Sequence, residues 1–191
     1  MTFIKRQPPW PRADLVQEDL AVYEIPLGSA RITTGAILGT SQVIGNFNLK
    51  SLTGGASDQD MWIESYAANN DTQISKMSLE GFLHPNYVDG QSVSVRIGAY
   101  HDAGGTAGTC TIDILAFLMP LSGDEGTDIC TTAAQTISGT ATDYDFELNH
   151  ASLVRGSRIK IIVDLSVQET AAAGDLKGRV SHVAMLSDIK G

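Results

Sequence analysis

Between Gln91 and Pro120 the chain alternates apolar and polar positions in two runs, QSVSVRIGAYHDAGGTAGTCTIDILAFLMP. Val93, Val95, Ile97 and Ala99 fall on one face of the first run, with Ser92, Ser94, Arg96 and Gly98 on the other. In the second run Cys110, Ile112, Ile114, Ala116 and Leu118 alternate with Thr109, Thr111, Asp113, Leu115 and Phe117. Successive side chains of a strand point to opposite faces, so this period of two predicts two half-buried strands. Beyond Asp113 both faces turn apolar, which predicts that this end of the second strand is covered on both sides. The intervening HDAGGTAG is rich in residues that tolerate turns, and the two runs are expected to pair as an antiparallel hairpin.

The same reading extends along the chain. Strands are predicted over Leu20–Ile25, Met61–Ala67, Ser75–Leu83, Ile159–Val167 and Val180–Ile189, and around Tyr144, Phe146 and Leu148, which face inward. Ile159, Ile161, Val163, Leu165 and Val167 form the buried side of their run, with Lys160, Asp164 and Ser166 opposite. Residues 28–60 are the least periodic, with short apolar pieces at Ala36–Leu38, Gln42–Ile44 and Phe47–Leu49. Turns are expected at Asn69-Asn70-Asp71 and His84-Pro85-Asn86. No stretch reads as a long helix. The expected fold is all-β, an antiparallel β-sandwich or jelly roll of about eight strands.

At 191 residues the chain can bury one substantial core, so residues 14–191 are read as a single domain. Residues 1–13 are read as an extended N-terminal arm. Pro8, Pro9 and Pro11 remove backbone donors and hold their predecessors extended, which excludes a helix or a central strand. Trp10 between these prolines is costly to leave in water, and the arm is expected to dock on a partner subunit.

Charge sharpens this picture. The net charge is −9, yet Lys5, Arg6 and Arg12 lie in the first twelve residues, which contain no acid. From Ile97 to Val154 there is no Lys or Arg, while Asp102, Asp113, Asp124, Glu125, Asp128, Asp143, Asp145 and Glu147 accumulate. An acidic body argues against nucleic acid as a partner, because neutralising phosphates needs a basic face. No apolar run reaches the length of a membrane span, and the start lacks a hydrophobic core of the secretory type. Cys110 and Cys130 are not spaced as a metal pair and are expected as reduced thiols, Cys110 in the core.

Motifs of catalysis are missing. There is no G-x-S-x-G elbow, no phosphate-cradling glycine loop and no H-E-x-x-H. His84, His101, His150 and His182 are widely separated and read as turn or surface residues, so no cofactor or metal is expected. Asp124, Glu125 and Asp128 share one loop, which lacks a full calcium-ligand pattern. Asp143 and Asp145 lie two apart on one strand face and could imitate a glycosidase pair, but they read more simply as that strand's wet face. Asn70-Asp71-Thr72 matches a glycosylation sequon that acts only on a secreted chain. The aromatics left for a carbohydrate platform are Trp10, Trp62, Tyr23, Tyr66, Tyr87 and Tyr100, scattered in sequence.

Several segments together, PRADLVQEDLAVYEIPL, SYAANNDTQIS, DICTTAAQTISGTATDYDFEL, ASLVRGSRIKIIVDLSV and VSHVAMLSDIKG, resemble tailed-phage virion proteins of the β-sandwich or jelly-roll capsid decoration (cement) type. The resemblance implies a non-enzymatic structural protein of the virion. It would sit on the capsid surface after assembly in the host cytoplasm, bind the major capsid protein, bridge capsomers and form a homotrimer. The arm would then supply the contacts, with Phe3, Lys5, Arg6, Trp10 and Arg12 as partner-binding residues. Leu115, Phe117 and Ile162 would sit either at the trimer contact or under a second layer of the sheet. Two alternatives stand beside it. One is a fibre- or tail-associated sandwich that binds a host-surface glycan or another virion protein. The other is a glycan-active enzyme using Asp143 with Asp145 or Glu147.

Overall fold

The computed structural model describes residues 18–33, 35–39, 45–51, 61–68, 71–102, 108–119, 126–170 and 176–190. The strands are β1 (Glu18–Glu24), β2 (Asn48–Ser51), β3 (Met61–Glu64), β4 (Thr72–Phe82) and β5 (Val93–Asp102). They continue as β6 (Gly108–Leu118), β7 (Gln135–Ile137), β8 (Thr142–Glu147), β9 (Arg158–Glu169) and β10 (Lys177–Lys190). All pair antiparallel, in two sheets. One sheet runs β2-β3-β10-β5-β8, with β1 also paired to β10, and the other runs β4-β9-β6-β7. The fold is the antiparallel β-sandwich that the alternating runs predict. The arm residues Phe3, Lys5, Arg6, Trp10 and Arg12 lie outside the described residues.

The two central runs are strands, but they do not form the expected hairpin. The edges of β5 are taken by β10 and β8, whereas those of β6 are taken by β9 and β7. The chain therefore crosses from one sheet to the other between Asp102 and Gly108. Each run has one apolar face, and a sandwich satisfies both by opposing them across the core rather than setting them side by side. Val95 and Ile97 of the first sheet and Ile112, Ile114, Ile161 and Val163 of the second are all fully buried. Burying one such side chain contributes about 1.5–3 kcal/mol.

Two local features shape the sheets. Between Val180 and His182 the β10–β5 register shifts, leaving Ser181 as an extra residue whose hydroxyl donates to the Gly98 carbonyl at 3.1 Å. The bulge moves the buried positions of β10 from Val180 to Val183 and Met185. The second feature corrects the expectation of a strand end covered on both sides. Leu115 and Phe117 are half-buried on the outer face of the second sheet, beside Ile162 of β9, and stay partly open to solvent. Their neighbours within the sheet shield them only in part. Both cysteines are free. Burial pushes the Cys110 thiol up to about 12.

Candidate functional site

A concavity lies where the two sheets meet at β1 and β4. After β1 the chain buries Ile25, turns through a single 3-10 turn at Leu27–Ser29, and reaches β4. There the Arg31 N–H donates to the Ser78 carbonyl at 2.9 Å, and the Ser78 N–H donates back at 2.7 Å. This pair of hydrogen bonds makes residues 26–31 a wall over the edge of β4. Close approach depends on Gly81, because a Cβ there would run into Met185 and Ile25. The result is a groove of about 390 Å³ lined by Tyr23, Pro26, Ser29, Arg31, Ser78, Leu79, Glu80, Phe82 and Lys160.

Two aromatic side chains flank this groove, Tyr23 from β1 and Phe82 from β4, each 42% exposed. Its polar groups are held by neighbours. Arg31 Nη1 donates to the carbonyls of Gly28, Ser29 and Ala30 at 3.2, 2.9 and 2.9 Å. Arg158 bonds Glu80 at 2.8 Å and sets its guanidinium 5.7 Å from the centre of the Phe82 ring. Ser29 and Ser78 contribute hydroxyls. The arrangement combines ring surface with fixed donors and acceptors.

The outer face of the first sheet carries a second set of functional side chains. Arg179 of β10 lies 5.5 Å from the Trp62 ring centre and 5.7 Å from that of Tyr100, while bonding Glu64 at 3.0 Å and Asp102 at 2.8 Å. Here two of the predicted platform aromatics meet across three strands, but around an arginine. Farther along, Arg96 binds Asp145 through two hydrogen bonds of 2.7 Å and approaches Asp143 at 3.8 Å. His182 contacts Asp143 at 3.1 Å. The hydrogen bond from Arg96 holds the Asp145 carboxyl below its ordinary value of 3.8. A carboxyl so held is ionised at neutral pH and has no proton to give as a general acid. Beside it lies a small depression of about 160 Å³ lined in part by Asp145, Glu147 and His150.

The other expected residues are dispersed. Tyr87 is buried, its hydroxyl donating to the Gln91 carbonyl at 2.7 Å, so it belongs to the core and not to a platform. Tyr66 is half-buried, and Trp10 is outside the described residues. His84 caps its own turn by accepting from the Asn86 N–H at 3.1 Å. Asp128 Oδ1 accepts from the N–H groups of Ala116 and Cys130, at 2.8 and 3.0 Å, which ties the end of the acidic loop to β6. Asp124, Glu125 and Asn70 lie outside the described residues. Among those described, no three His, Cys, Asp or Glu side chains converge as metal ligands. Sequence reasoning missed Phe82, Arg31 and Lys160. The available signal was Phe82 itself, an aromatic at a position in phase with Lys76, Ser78 and Glu80.

No family model and no curated protein sequence matches the chain. Solved structures match in fold. The xylan-binding module CBM15 is 9% identical with a TM-score of 0.45, covering 91% of this chain and 100% of its own. The CBM22-1 xylan-binding domain from Paenibacillus barcinonensis Xyn10C is 11% identical with a TM-score of 0.42, covering 91% of this chain and 97% of its own. CBM27-1 from Caldicellulosiruptor saccharolyticus, solved with mannohexaose, is 10% identical with a TM-score of 0.43, covering 86% and 96%. All three are named as carbohydrate-binding modules, and at 9–11% identity and TM-scores below 0.5 they speak neither for nor against the resemblance to capsid decoration proteins. Likenesses this distant leave function to be argued from the chain's own residues.

Proposed function

We propose that this chain is a non-enzymatic β-sandwich recognition module that binds a carbohydrate in the groove between β1 and β4. The observation that carries the reading is the pairing of two exposed aromatics, Tyr23 and Phe82, across a cleft of about 390 Å³ with hydroxyl, carboxylate and cationic groups between them. A sugar presents an apolar ring face and a polar rim. Aromatic rings cover the first and fixed polar side chains meet the second. The volume falls within the few-hundred-Å³ range of small-molecule sites. The test is a glycan array followed by calorimetric titration of any positive oligosaccharide against the intact chain and the Tyr23→Ala and Phe82→Ala variants. Binding that both substitutions weaken supports the groove. An array with no positive, or binding that ignores both substitutions, refutes it.

A second reading, capsid decoration, is favoured by one observation. Leu115 and Ile162 stand opposite each other on the outer face of the second sheet, with Phe117 beside them, and this half-open apolar strip suits a protein partner. The major capsid protein, a homotrimer and a place on the virion surface belong to this reading. Saturable binding to purified capsids, abolished by Leu115→Glu, would support it. Failure of the intact chain to bind capsids would exclude it.

A further inference from the structure

The groove between β1 and β4 holds a cation that is bonded to neutral groups. Arg31 Nη1 donates to the carbonyls of Gly28, Ser29 and Ala30, bonds that fix the guanidinium without cancelling its charge. The acid of the lining, Glu80, is engaged by β9. It bonds Arg158 at 2.8 Å and stands opposite Lys160 in the β4–β9 register. Glu24 alternates with Tyr23 along β1, so its side chain belongs to the other face of that strand.

This charge bears on what the groove can hold. Arg31 is half-buried, and a ligand flanked by Tyr23 and Phe82 would strip water from it. A charge taken out of water is costly unless it is paired and hydrogen-bonded. A neutral sugar brings hydroxyls alone, whereas an acidic one brings the counter-charge. The three bonds of Arg31 all use Nη1, and the edge formed by Nε and Nη2 is the fork that fits a carboxylate. At a net charge of −9 the chain as a whole does not draw anions from a distance, so selection has to arise at this contact.

We infer that the groove selects an acidic oligosaccharide, with the Arg31 guanidinium on the carboxylate of a uronate residue and Tyr23 and Phe82 flanking the sugar rings. This deepens the carbohydrate-binding reading and rests on it.

The experiment titrates the intact chain with uronate oligosaccharides of the galacto, gluco, manno and gulo series, each beside its carboxyl-reduced counterpart. The counterpart keeps the ring stereochemistry and loses the charge. Physiological ionic strength screens the long-range repulsion. The expected result is that at least one uronate binds about tenfold more tightly than its reduced form. Arg31→Gln erases that preference, and Arg31→Lys, which keeps the charge but not the fork, retains only part of it. Thermal melts check that both variants fold, and the comparison of ligands on the intact chain stands without them. Reduced sugars that bind as well as the uronates, and that Tyr23→Ala weakens, overturn this inference and leave the groove reading standing. A preference for the acid that survives Arg31→Gln also overturns it, by placing the carboxylate elsewhere. Binding of sulfated but not carboxylated sugars overturns the uronate assignment, and binding of no sugar at all removes the groove reading with it.

Discussion

Arg96 of β5 grips Asp145 of β8 with two hydrogen bonds, Nε to Oδ1 and Nη2 to Oδ2, both 2.7 Å long. The two residues are direct cross-strand partners. This fork ties the edge strand β8 to the centre of its sheet and makes Asp145 an acid-sensitive group.

The sign of that sensitivity follows from linkage. The carboxyl of Asp145 is lowered in the folded state by the Arg96 hydrogen bond, relative to an ordinary value of 3.8. Its contribution is therefore fully present above the unfolded value and is lost as pH falls through the folded one. Urea midpoints measured from pH 3 to 7 should show Asp145→Asn below the parent by a small, constant margin at neutral pH. The margin should close in the acid limb. A margin that persists or widens below the ordinary carboxylate range would contradict the assignment.

Phe146, one residue on and on the opposite face, is fully buried between the sheets. Phe146→Ala removes a whole ring from the core and is expected to cost about 3–5 kcal/mol. Equilibrium denaturation measures this, and Ile161→Val in the facing sheet should cost only about 1 kcal/mol.

Glu169 ends β9 on its inward side, buried, and neither carboxylate oxygen accepts a hydrogen bond from the described residues. A buried polar group left without a hydrogen bond opposes folding. Glu169→Leu should therefore raise stability by about 1–3 kcal/mol. A thermal melt that drops instead would show that the carboxylate has a structural role.

Cys110 is buried in the sandwich, with its thiol pushed up to about 12 by desolvation. Since the thiolate is the nucleophile, Cys110 should resist alkylation at pH 8 in the native protein and react once urea unfolds it. Cys130 is half-buried and raised in the same direction by burial, so it should label slowly but first. Peptide mass spectrometry after timed iodoacetamide treatment distinguishes the two.

In the groove, Tyr23→Ala and Phe82→Ala should each weaken oligosaccharide binding roughly tenfold, about 1.4 kcal/mol, if the rings carry the contact. Neither should disturb the fold greatly, because both side chains are 42% exposed.

Much of this protein was legible in its alternation. The buried faces of β5, β6 and β9 are those that the period of two marks out, and so is the wet face that bears Asp143 and Asp145. The phase of an alternating run follows from the strand backbone, because neighbouring side chains must point to opposite sides. The partner of a strand does not follow, since ladder hydrogen bonds join main-chain groups that every residue has. Hence β5 and β6 read as a hairpin and lie in different sheets, and the bulge at Ser181 shows in the sequence only as a slip of phase between Val180 and Val183. The groove was hidden for the same reason: Tyr23 and Phe82 are far apart in sequence, and only the passage of residues 26–31 over the edge of β4 brings them together. Sequence alone determined the inward side of the alternating strands β5, β6, β8 and β9. The tertiary structure decided which strands are neighbours, and with that where a ligand can sit.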